Sequence, residues 1–160
     1  MVDLKGTYEP LQKKYGLPSY DLLNAEFELL YIANVVQIDY PLRFIRRKMS
    51  DRFGLLCSML QAFLQPNPGS FINLRESSFF SADEKKQMQD LIRQLMEWER
   101  RSLHLDLRLQ EKEDVSYIKD ASASWASLKP HLDALFSKLP LSWKTAEEEH
   151  SPEDKNHYFG

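Results

Sequence analysis

Cysteine appears once in this chain, as Cys57, and glycine only 5 times in 160 residues. A single cysteine excludes an internal disulfide framework and suits a reducing compartment. No apolar run approaches the ~18 residues of a membrane-spanning helix. The opening residues MVDLKGTYEP lack the apolar stretch of a secretory signal, so a soluble, cytoplasmic protein is expected. No Gly-rich phosphate loop exists: Gly54 and Gly69 are isolated and lack the Lys and Ser/Thr context. GxSxG and HExxH are also missing. No catalytic residue can be nominated, and a non-enzyme without a cofactor is the expectation.

Valine and threonine are few beside Leu, Lys, Glu, Gln and Met, which with the scarcity of glycine favours helices over a sheet. Hydrophobic residues at 42% and charged ones at 28% are globular proportions. The length fits one domain. Residues 1–17 read as a polar N-terminal arm without sustained periodicity. A first helix is expected from Ser19 through Val36, with Leu22, Leu23, Phe27, Leu29, Leu30 and Ile32 spread widely around it. Pro41 disfavours helical geometry at Tyr40, so a second helix is expected from there to about Leu64. QPNPGS at 65–70 is a loop. FINLRESSFF after it is ambiguous and could hold one helical turn.

Ser81 and Glu84 form the pattern of a capping box, which opens a third helix. Its end is ambiguous. Leu103, Leu105, Leu107 and Leu109 alternate as in a strand, but leucine is a strong helix former and no pairing strand is evident. Helix or an extended connector is favoured. A fourth helix is expected from about Asp114 to Leu139, with Pro130 on its outer face. Residues 144–160 read as a polar C-terminal tail. The predicted fold is all-α: a four-helix up-and-down bundle over 18–143 with an arm and a tail.

Net charge is −3, yet residues 41–80 alone sum to +4. PLRFIRRKMSDRFG, at 41–54, supplies most of that excess. Placed on a helix that advances about 100° per residue, its cations divide. Arg43 and Arg47 face outward, Lys48 lies to one side, and Arg46 and Arg52 flank the apolar stripe. On the third helix, Glu99 and Asp106 project on the apolar face with Ser102. Carboxylates aimed at a core are costly unless paired. Arg46 or Arg52 is therefore expected to pair with Glu99 or Asp106, with Asp106 facing water as the alternative if the helix ends early.

Metal chemistry finds little support. The one Glu-x-x-His, Glu147 to His150, lies in the polar tail, and Arg101 stands three residues before His104. No metal site is expected. Cys57 reads as a small core residue. Trp98 and Trp125 fall on core faces, whereas Trp143, Tyr158 and Phe159 are candidate docking aromatics. The leading functional expectation is a non-enzymatic protein acting through protein contacts, as a homo-oligomer or a small subunit. The alternative is a nucleic-acid- or ribosome-associated protein that contacts phosphates through Arg43, Arg47 and Lys48, aided by Arg93, Arg100 and Arg101. An enzyme with a pocket in the bundle is third.

Overall fold

A computed structural model describes residues 3–29 and 39–148, without the side chains of 146–148. Within these residues the chain is all-helical and contains no strand.

Helix α1 (Leu4–Tyr15) occupies what reads in sequence as an aperiodic arm. Its N-terminus is capped by Asp3, whose side chain accepts the Gly6 N–H, and its C-terminus by Gly16 at φ 61°. Glycine adopts that left-handed geometry without a Cβ clash. Only Leu4 and Tyr8, one turn apart, are buried on this helix. Helix α2 (Tyr20–Phe27) begins where expected, with Ser19 as its cap, but ends at Glu28, which takes a left-handed φ of 53°. The expectation of one helix through Val36 is therefore corrected at Phe27; Leu30, Ile32 and Val36 lie outside the described residues.

Helix α3 (Pro41–Leu64) has Pro41 in its first turn, where a missing N–H costs nothing. The ambiguous stretch after the loop forms α4 (Phe71–Ser78), capped by Ser70. Helix α5 (Ala82–Leu105) opens with the full capping box: Ser81 accepts the Glu84 N–H and Glu84 accepts the Ser81 N–H. Residues 103–109 contain no strand. α5 continues to Leu105, Asp106 caps it, and the chain turns before Leu109 at φ 55°. Of the four alternating leucines, only Leu105 is buried. Helix α6 (Glu111–Phe136) runs through the exposed Pro130, and α7 (Lys138–Glu148) extends helix into the first residues of the expected tail.

α3 is the element that the others surround. It packs against α5 and α6, and also touches α1, α2 and α4. α3 and α5 run antiparallel, since Arg46 meets Ser102 while Cys57, farther along α3, meets Ile92. α5 and α6 do likewise, with Arg101 near Ser116 and Gln87 near His131. Two aromatic groups tie the helices together. Phe27, Phe53 and Trp125 join α2, α3 and α6, with ring centroids 5.6–6.0 Å apart. Phe63 lies between Phe80 and Phe136.

Phe53 is fully buried at the centre of the first group, whereas its neighbour Leu55 is 53% exposed. Phe53→Ala is expected to cost about 3–5 kcal/mol in urea unfolding, and Leu55→Ala no more than about 0.5 kcal/mol. Equal losses would mean that α3 is rotated from the face described here.

Candidate functional site

Helix α3 carries ten buried residues, and one of them is Arg46. Its guanidinium has no solvent exposure and is held by groups from two other helices. Nε donates to Asp114 Oδ1 at 2.6 Å. Nη1 donates to the Ser102 carbonyl at 2.5 Å and to Ser102 Oγ, and Nη2 donates to Asp106 Oδ1. Arg47 Nε also reaches Asp106 Oδ1, at 3.1 Å. Two guanidinium groups thus face two carboxylates, and the cluster is neutral. A fork of N–H donors in fixed directions makes this possible where a lysine would not.

Local helix chemistry explains why these groups gather. Ser102 and Asp106 form the last turn of α5, where carbonyls lack intrahelical partners and attract a cation. Asp114 lies in the first turn of α6, where an acid is favoured. Arg46 therefore sits between the negative end of one helix and an acid at the positive end of the next. Burial pushes the Asp114 carboxyl upward, with the Arg46 hydrogen bond opposing that shift. Asp106 is also raised by burial, but its hydrogen bonds to Arg46 and Arg47 outweigh the effect and hold it below the usual carboxylate range.

The other candidate residues are placed as follows. Arg52 lies 3.8 Å from Glu28 rather than at either expected acid. Glu99 is 3.8 Å from Arg100 and rests over Gly54, where a Cβ would meet its carboxyl carbon at 3.5 Å. Neither Arg52 nor Glu99 belongs to the Arg46 cluster, which instead recruits Asp114. A sequence signal for Asp114 did exist, an acid near a predicted helix start, but it reads equally well as a dipole partner facing water.

The six candidate phosphate-binding cations are largely engaged within the chain. Arg47 pairs with Asp106 and Lys48 faces Asp51 at 3.9 Å. Arg93 meets Asp90 at 3.3 Å, Arg100 meets Glu99, and Arg101 meets Asp120 at 3.1 Å. Arg43 lies over the Tyr40 ring at 4.6 Å, and its Nε is buried without a hydrogen-bond partner. A groove of about 360 Å³ beside the cluster has Arg47 and Arg100 on its walls, but also Asp51, Glu99 and Asp106. With carboxylates interleaved in this way, the surface offers a polyanion no continuous positive path.

Trp143 packs on its own chain. Its Nε1 donates to Glu76 at 3.1 Å, and its ring meets Phe79 edge-on at 5.5 Å. Tyr158 and Phe159 lie outside the described residues. Cys57 is buried, its thiol pushed up to about 11 by burial, with Glu99 and Arg100 as weaker influences. No group of three His, Cys, Asp or Glu side chains among the described residues could hold a metal ion.

Removing one member of the Arg46 cluster leaves buried charge uncompensated. Arg46→Met is expected to cost about 3–5 kcal/mol, whereas Glu99→Ala, outside the cluster, should cost under about 1 kcal/mol. Asp106, with its pKa lowered on folding, contributes stability above its unfolded pKa and loses it as pH falls through the folded value. The stability difference between wild type and Asp106→Asn should therefore be largest near neutrality and shrink on acidification below the ordinary aspartate pKa. A difference that is flat with pH would show that Asp106 is not held as a carboxylate. Comparison with family models, with curated proteins and with solved structures finds no match to this chain.

Proposed function

We propose that this chain is a non-enzymatic helical protein that acts through protein–protein contacts, either by self-association or as a small subunit. The observation that carries this reading is the surface of α4. Phe71, Ile72 and Leu74 are 73%, 58% and 46% exposed on a helix of eight residues. Burying a large apolar side chain contributes about 1.5–3 kcal/mol, so covering these three would supply a substantial part of a stable contact. Leu103, Leu107 and Leu109 add exposed apolar surface at the corner between α5 and α6.

The Arg46 cluster supports the non-enzymatic part of the proposal. Its donors are committed to Ser102, Asp106 and Asp114, and it serves to hold three helices together. We also infer an up-and-down course for α3, α5 and α6, which the short 106–110 connection and the pairwise antiparallel packing favour. A cytoplasmic setting belongs to the same proposal and rests on the single free thiol, Cys57. The phosphate-binding alternative loses ground because Arg47, Lys48, Arg93, Arg100 and Arg101 each have an acid nearby.

The test is recovery of bound protein from the native host, with and without nuclease, using wild type and a Phe71→Asp/Leu74→Asp variant. The expected result is a defined partner, or a second copy, that survives nuclease and is lost from the variant. A partner that disappears with nuclease and weakens steeply with salt would replace this reading with the nucleic-acid one. A wild type that stays monomeric, and retains the same proteins as the variant, would contradict it.

A further inference from the structure

A second groove, of about 480 Å³, lies between α3 and α5, toward the C-terminal end of α3 and the N-terminal end of α5. Leu64, Ile92 and Met96 form apolar walls, and Cys57 contributes to the lining. The Cys57 S–H points to the Ile92 carbonyl at 3.8 Å and stays protonated, so this part of the groove is uncharged. The volume lies within the range of small-molecule sites, which pair apolar walls with a few polar groups.

The polar groups are Gln61, Gln65 and Gln89, with Lys85 as the sole charge on the lining among the described residues. Lys85 has no ion pair with the described residues. That is unusual here, because the other partly buried lysines, Lys48 and Lys138, face Asp51 and Glu84. Glu84, the nearest acid in sequence, is already taken by Lys138 and the Ser81 N–H. Lys85 also lies one residue beyond the capping box of α5, at the positive end of that helix. A cation there is electrostatically disfavoured, and an anion beside it would relieve the conflict.

We propose that this groove binds a small amphipathic carboxylate. The carboxylate pairs with Lys85 and accepts from the Gln65 or Gln89 amide, while the hydrocarbon part lies along Leu64, Ile92 and Met96. From Lys85 to Met96 the α5 wall extends for about 16 Å, enough for a medium-length acyl chain. Lys85 sets the preference for charge and the walls set the preference for an apolar tail. This site is independent of the protein-contact proposal, since none of its residues belongs to the exposed surface of α4.

Decanoate and decanol, titrated calorimetrically into the full chain, separate the two components. Decanoate is expected to bind about tenfold or more tightly than decanol. Lys85→Met should reduce decanoate to the affinity of decanol and leave decanol unchanged. Gln89→Trp, a change at an exposed rim position, should block both ligands while preserving the thermal melt. Equal binding of the two ligands by wild type would overturn the proposal, as would undiminished decanoate binding by Lys85→Met. Failure of wild type to bind decanoate at all would end it.

Discussion

A guanidinium with no access to water is the interaction on which the arrangement of the three long helices depends. Arg46 extends from α3 to the end of α5 and the start of α6, and each of its bonded groups belongs to one of those ends. Apolar packing alone would tolerate some sliding of one helix along another, because a leucine surface has similar neighbours at successive turns. A buried cation does not. Displacing α5 by one turn would take Ser102 and Asp106 away from Arg46 and leave a charge in a low-dielectric interior. The cluster therefore specifies register, while the rings of Phe27, Phe53 and Trp125 join α2, α3 and α6 by apolar contact farther along the helices.

The same cluster separates a structural part of the basic segment from an accessible part. Arg46 is enclosed and Arg47 is shared with Asp106, so the run of cations in sequence does not become a run of free charge in space. Among the described residues, surface left without an internal partner is found elsewhere: apolar side chains on α4, and Lys85 on the lining of the α3–α5 groove. The first carries the proposed protein contact and the second the proposed small anion. They can coexist because neither uses the residues that hold the helices in register.

Much of the helical architecture was legible where local chemistry was unambiguous. Pro41 marks the start of α3, and the Ser81–Glu84 box marks the start of α5. Helix α1 was missed although Leu4, Tyr8, Leu11 and Tyr15 recur at helical spacing, the first two buried and the other two packed against the core; the stripe is narrow and is interrupted by polar residues and Pro10. The alternating leucines of 103–109 resemble a strand, but leucine's helix preference and the lack of a pairing strand favour helix or connector, and the chain there is the end of α5 followed by a turn. For the site, helical angles identified Arg46 and Asp106 as inward-leaning, but Arg52 and Glu99 lean equally. Only the choice of neighbouring helix and the position of each residue along it separates the two pairs. Asp114 depends on how the corner at 106–110 folds back, and no spacing within one helix encodes that.

The central claim is that Arg46 couples α3 to the ends of α5 and α6 as a unit. A double-mutant cycle between Arg46→Met and Asp114→Asn, followed by urea unfolding, measures that coupling directly. The account predicts a coupling energy of about 2 kcal/mol or more, because each single change strands the other's charge or donor. Additivity within about 0.5 kcal/mol would contradict it, and would mean that the two groups sit together without depending on each other.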